Sequence, residues 1–180
     1  MQITRENTEI IRVAIGAKKI IISYATVVGD MVINGKSEFF INQKGMHPDF
    51  KKAFSNLNQY LARVLYISEE DAESVVVNQV DISGDESTLV RLTGKLALDS
   101  GNSVPIQSDN INMVAEECPY AFEKDVVKID VGLLIWEAFE YCFEDKQAQL
   151  QLNLADADPI NNDTLVPGEN ADEVAQKELF

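Results

Sequence analysis

The side chains most able to do chemistry in this chain are few and widely spaced. His47 is the only histidine, so a Ser-His or Cys-His nucleophile system has to be built on it. No nucleophile elbow, phosphate-cradling glycine loop or metal-binding histidine pair occurs. Cys118 and Cys142 have neither zinc-site spacing nor the density of a disulfide framework, which points to reduced thiols and a reducing cytoplasm. Glu69-Glu70-Asp71-Glu73 and Asp81-Asp85-Glu86 lack the glycine and ligand spacing of an EF-hand and read as solvated loops. Glu137, Glu140 and Glu144 recur at helical spacing, as the wet face of a helix does. The expectation is a non-enzymatic protein with no catalytic residue, cofactor or metal site.

Charge is the stronger signal. The net charge is -15, yet residues 1–67 hold nine Lys/Arg against five Asp/Glu, while the remainder holds six against twenty-five. Such a split can turn an attractive surface toward a polyanion on one side and a repulsive one on the other. Met1 to Asn7 is polar, and the apolar run Ile20 to Val28 is too short to span a bilayer, so neither a signal peptide nor a membrane contact is expected.

The elements that would carry these charges follow from hydrophobic period. Ile10 to Ile15, Lys19 to Val28 and Met31 to Ile41 are rich in β-branched and aromatic residues and predict strands, punctuated by Gly16 and Gly29-Asp30. Asn34-Gly35 suits a two-residue hairpin turn, so the third segment is a candidate hairpin in itself. His47-Pro48-Asp49 opens a helix whose Phe50, Phe54, Leu57, Leu61 and Val64 share one face. An acidic connector, Ser68 to Ser74, precedes three more strands, Val75 to Ser83, Thr88 to Asp99 and Ser103 to Ser108. A second helix spans about Asp125 to Phe143, with Val126, Ile129, Leu133, Trp136 and Phe143 as its apolar stripe. Gln147 to Leu154 alternates like a closing strand.

Strands then helix, twice over, predict an α+β domain at residues 1–155. It consists of two βββα-like halves (8–67 and 75–145) forming an antiparallel or mixed sheet covered by two helices. From residue 156 to 180 the Pro, Gly, Asn and acid content predicts a flexible acidic tail.

Three resemblances bear on function. Met46-His47-Pro48-Asp49-Phe50-Lys51-Lys52-Ala53-Phe54, with Ile82-Ser83-Gly84-Asp85-Glu86-Ser87 and Thr93-Gly94-Lys95-Leu96, resembles segments of uncharacterised phage and prophage proteins, which implies a phage-type origin and favours DNA metabolism. The tail, Asp172-Glu173 through Glu178-Leu179-Phe180, resembles the acidic, aromatic-ended tails of single-stranded DNA-binding proteins, whose terminal ring and carboxylate one basic-rimmed pocket can capture together. Gln176, Leu179 and Phe180 also resemble the Gln-x-x-Leu-Phe peptide that docks on the bacterial sliding clamp, and Gln149-Leu150-Gln151-Leu152-Asn153-Leu154 resembles its six-residue version. His-Pro-Asp is similar to the J-domain signature, but the strands expected before it exclude that fold.

The combined expectation is an accessory protein of phage replication or recombination. Single-stranded DNA would meet Lys18, Lys19, Lys36 and Lys44 through its phosphates and stack on Tyr24 or Phe39. Gln176, Leu179 and Phe180 would recruit a replication or recombination protein, and pairing of sheet edges would allow a homo-oligomer. The alternative is an acidic inhibitor or DNA mimic that presents its second half to a host nucleic-acid enzyme.

Overall fold

Val13 and Val80 lie opposite each other on neighbouring antiparallel strands, and both side chains are wholly buried. They belong to β1 (Thr8–Ile15) and β4 (Val75–Ser83), whose pairing joins two three-stranded meanders. The first runs β1, β2 (Lys19–Val28), β3 (Met31–Phe40), and the second runs β4, β5 (Leu89–Ala97), β6 (Ser103–Gln107). The sheet order is therefore β3-β2-β1-β4-β5-β6, with a two-residue β7 (Ile111–Asn112) also on β5, and among the described residues the strand pairings are antiparallel. The structure, a computed structural model, describes residues 3–41, 46–84, 89–113 and 124–144.

The strand order is symmetric about the β1·β4 pair, and the irregularities agree with that symmetry. β1 is bulged between Ile10 and Arg12 against β2, and β4 is bulged between Val77 and Gln79 against β5. Each extra residue, Ile11 or Asn78, sits two positions before the central valine of its strand. A bulge re-aims the side chains that follow it, so two equivalent bulges mark equivalent bends in the two halves.

All described helices lie on one side. After β3 come α1 (Pro48–Asn56), α2 (Asn58–Val64) and the one-turn α3 (Glu69–Ala72), and after β7 comes α4 (Lys124–Phe143). Pro48 occupies the first helical position of α1, where a missing N–H costs nothing, and the His47 ring accepts the Asp49 N–H as a cap. Phe50, Phe54, Leu57, Leu61 and Val64 are all buried, so α1 and α2 present the apolar face that their spacing predicts. Ser68 caps α3 through Asp71, which makes a helical turn of a segment expected to be an acidic connector. No described helix is long and apolar enough to cross a membrane.

Two expectations are corrected. Asn34-Gly35 is no hairpin turn: β3 continues through it, and the turn before it is Gly29-Asp30, with Gly29 at φ +60°. Gly35 instead gives room to the Tyr24 ring, since a Cβ there would come within 2.3 Å of it. The apolar stripe on α4 is also largely turned over: of its expected members Phe143 packs edge-on to Tyr24, and the Val126 side chain lies outside the described residues. Ile129, Leu133 and Trp136 are exposed, while Val127, Val131, Leu134, Ala138 and Tyr141 enter the core. α4 is apolar on most sides, so period alone does not select its buried face.

Polar contacts make that selection. Asp130, only 8% exposed, accepts hydrogen bonds from Tyr60 Oη at 2.6 Å and Asn56 Nδ2 at 2.9 Å. On the far side the Arg5 guanidinium lies over the Trp136 ring, 3.2 Å from its centroid, and bonds Glu140 and Glu144. Glu140 and Glu144 are thus tied to the N-terminal segment instead of forming a bare wet face. Cys142 is half-buried, and burial pushes its thiol up to about 12.

Burial first, and the hydrogen bond to Asp130 second, push the Tyr60 phenol well above its ordinary value. The folded state then holds a proton that the unfolded chain releases, so stability is full below the ordinary phenol range and is lost as pH rises through and beyond it. Tyr60→Phe should remove that alkaline loss. At neutral pH it should cost about 1–3 kcal/mol by leaving Asp130 short of a donor, and urea unfolding of both chains at neutral and alkaline pH checks the two effects together.

Candidate nucleic-acid interface

In an antiparallel ladder directly opposed residues share a face, so the strand registers sort the side chains into covered and open sets. Ile10, Val13, Ile20, Ile22, Val80, Ile82, Val90 and Leu92 define the covered face beneath the helices. On the opposite face β3 places Lys36, Glu38 and Phe40, β2 places Lys19, Ile21 and Ser23, and β1 places Glu9 and Arg12. β4 contributes Gln79 and Asp81 to it, and β5 contributes Arg91, Thr93 and Lys95. No described helix packs there, and its cations, Arg12, Lys19, Lys36, Arg91 and Lys95, outnumber its acids, Glu9, Glu38 and Asp81. The helical side has the reverse balance, with Asp49, Glu69, Glu70, Asp71, Glu73, Asp130, Glu137, Glu140 and Glu144 against Arg5, Lys51, Lys52, Arg63 and Lys128.

The cations of the open face are not all unpaired. Glu38 lies between Lys19 Nζ at 2.8 Å and Lys36 Nζ at 2.6 Å, and Arg12 pairs with Asp81. The hydrogen bond from Lys19, then that from Lys36, holds the Glu38 carboxyl at about 2, so it is ionised at any physiological pH. Arg91 donates to Asn110, a neutral partner, and Lys95 has no ion-pair partner among the described residues. Ion pairs exposed to solvent and screened by salt in this way are too weak to withhold a lysine from a phosphate.

Of the residues expected to bind nucleic acid, Lys19 and Lys36 come together on the open face, and Lys18 is exposed in the β1–β2 turn beside them. Tyr24 and Phe39 do not join them. Tyr24 lies edge-on to Phe143 with centroids 5.0 Å apart, and Phe39 lies edge-on to Tyr141 at 5.5 Å, both beneath the end of α4. The aromatic that shares a face with Lys36 is Phe40, 73% exposed at the end of β3. Arg12, Phe40, Arg91 and Lys95 were thus missed, although strand alternation puts Phe40, and not Phe39, on the side of Lys36. Lys44, Gln176, Leu179 and Phe180 lie outside the described residues, as do Cys118, the segment 147–154 and the tail.

Among the described residues one further group could hold an ion: His47, Asp49 and Glu137, whose ligand atoms lie within 4.8 Å of one another. A shallow depression of about 390 Å³ is lined by Ser55, Asn56, Asn58, Gln59, Ala72, Glu73 and Val75, where Glu73 is the one ionisable side chain. Comparison with protein-family models, curated proteins and solved structures finds no match for this chain.

Glu38 should titrate near 2 in side-chain carboxyl NMR, and its midpoint should climb toward the ordinary carboxylate range when Lys19→Gln and Lys36→Gln are combined. An unchanged midpoint in the double variant would mean that the lysines are not its partners in solution.

Proposed function

We propose that the open sheet face binds single-stranded nucleic acid, and that the protein serves as a non-enzymatic accessory of phage-type DNA replication or recombination. The observation that carries this reading is the gathering of Arg12, Lys19, Lys36, Arg91, Lys95 and the exposed Phe40 on one face clear of the described helices, in a chain of net charge -15. Phosphates would take the lysines and arginines, and Phe40 would offer a ring to one base, which needs no base-specific hydrogen bond. An open sheet face clear of the described helices favours a single strand, whose bases can be splayed onto it. Partner recruitment is assigned to Gln176, Leu179 and Phe180 of the acidic tail.

Glu38 moderates the interaction. Its fixed negative charge between Lys19 and Lys36 must be outcompeted by a phosphate, so affinity is modest and strongly salt-dependent. A second reading draws on α3: Ser68 caps a helical turn that exposes Glu69, Glu70 and Asp71, an arrangement able to present carboxylates as a DNA mimic does.

Fluorescence anisotropy with labelled single-stranded and duplex oligonucleotides, across a salt series, tests the proposal. Binding should favour single strands, and the salt slope should fall by roughly 1.4 when Lys19→Gln and Lys36→Gln are combined, at about 0.7 per phosphate contact. Phe40→Ala should cost about 1–3 kcal/mol of affinity, whereas Glu38→Gln should tighten binding. Absence of binding even at low salt would sink the proposal and leave capture of a nucleic-acid enzyme through the α3 acids as the reading to pursue.

A further inference from the structure

We propose that His47, Asp49 and Glu137 bind one divalent transition-metal ion of the zinc class, which ties the start of α1 to α4. The site lies on the helical side and does not depend on the sheet-face reading. It combines the only histidine of the chain with carboxylates from two helices. Each residue offers one donor atom, and the three donors fall within 4.8 Å of one another. His47 Nδ1 and Asp49 Oδ2 are 3.6 Å apart, close to the edge of roughly 3.4 Å that ligands at about 2.1 Å make around a tetrahedral ion.

The backbone around the site is already fixed. Pro48 limits the chain on one side of His47, and the His47 main-chain N–H donates to Tyr141 Oη at 3.3 Å. Tyr141 is buried and lies one helical turn beyond Glu137, so the loop carrying the imidazole is tied to the helix carrying the third carboxylate. Only side-chain adjustment is then required, and the longest movement falls to glutamate, the most flexible of the three.

The donor set selects the ion. One imidazole nitrogen and two carboxylate oxygens suit zinc or a neighbouring first-row metal better than calcium or magnesium, which prefer oxygen alone. Nδ1 now accepts the Asp49 N–H at 3.3 Å, a long contact that the ion would replace. The positive end of α1 opposes a cation, and the two negative charges of Asp49 and Glu137 offset it. Asp49 is exposed, so water has access to the remaining coordination position.

The test uses the full chain, stripped with a chelator and titrated with Zn²⁺ by calorimetry, then with Co²⁺ by visible absorption. One ion should bind per chain, with Co²⁺ giving the d–d bands of a low-coordinate nitrogen-oxygen site. At about 100 times Kd the melting temperature should rise by roughly 5–10 °C. His47→Asn keeps a capping acceptor while removing the imidazole, and Glu137→Gln keeps the side-chain shape. Each should weaken binding about tenfold or more while the metal-free variants retain the parent's circular dichroism spectrum. Absence of saturable binding overturns the proposal, as does Zn²⁺ binding that both variants leave unchanged, which would place the ion elsewhere on this acidic chain.

Discussion

The pairing of β1 with β4 is the contact on which the rest of the architecture depends. It is short, running from Arg12 opposite Asp81 to Ala14 opposite Gln79, but it converts two marginal meanders into one wide sheet. Its central residues, Val13 and Val80, are the floor against which the helices pack. Because α1, α2 and α4 all gather over that floor, the same registers that bury one face leave the other to solvent. The open face is thus a consequence of topology, and its side chains are free to be chosen for charge.

What holds the helical layer in one orientation is a polar contact inside an apolar interface. Asp130 faces Tyr60 and Asn56, and a buried carboxylate left without such donors would cost several times what one exposed ion pair contributes. Rotating α4 to bury Ile129, Leu133 and Trp136 would expose Val131 and Leu134 in exchange, with little net change in apolar burial, and would orphan Asp130. Arg5 adds to the bias from outside by stacking on Trp136. Hydrophobic burial is nearly indifferent between the two faces of this helix, so the hydrogen bonds decide.

That competition explains which features were legible in the sequence. Strand content, the helix opened by Pro48 and the doubled order of strands and helix follow from local period and turn chemistry, and the structure has them. The α4 face was not legible, because its partners Tyr60 and Asn56 are about seventy residues away. The roles of Gly35 and Gly94 were also hidden: each makes space for a neighbour across the ladder, the Tyr24 ring in one case and the Val76 carbonyl in the other. For the candidate interface, charge alone marks Lys19 and Lys36, and the registers show only that the two share a face. Aromatic character alone does not separate Tyr24 and Phe39 from the open face; strand parity does, parting Lys36 from Phe39 and uniting it with Phe40.

A sheet face whose cations lie in a field of overall negative charge has a definite physical character. It attracts a polyanion only at short range, loses that attraction as salt rises, and repels the same polymer once it strays toward the helices. The central claim is therefore about place as much as affinity. The most direct measurement is a map of backbone amide shifts as a short single-stranded oligonucleotide is titrated into isotope-labelled protein at low salt. The account predicts perturbations concentrated on Arg12, Lys19 to Ser23, Lys36 to Phe40 and Arg91 to Lys95, with α1 and α4 silent. Perturbations confined to the helical side, or none on the open face at saturating oligonucleotide, would contradict it.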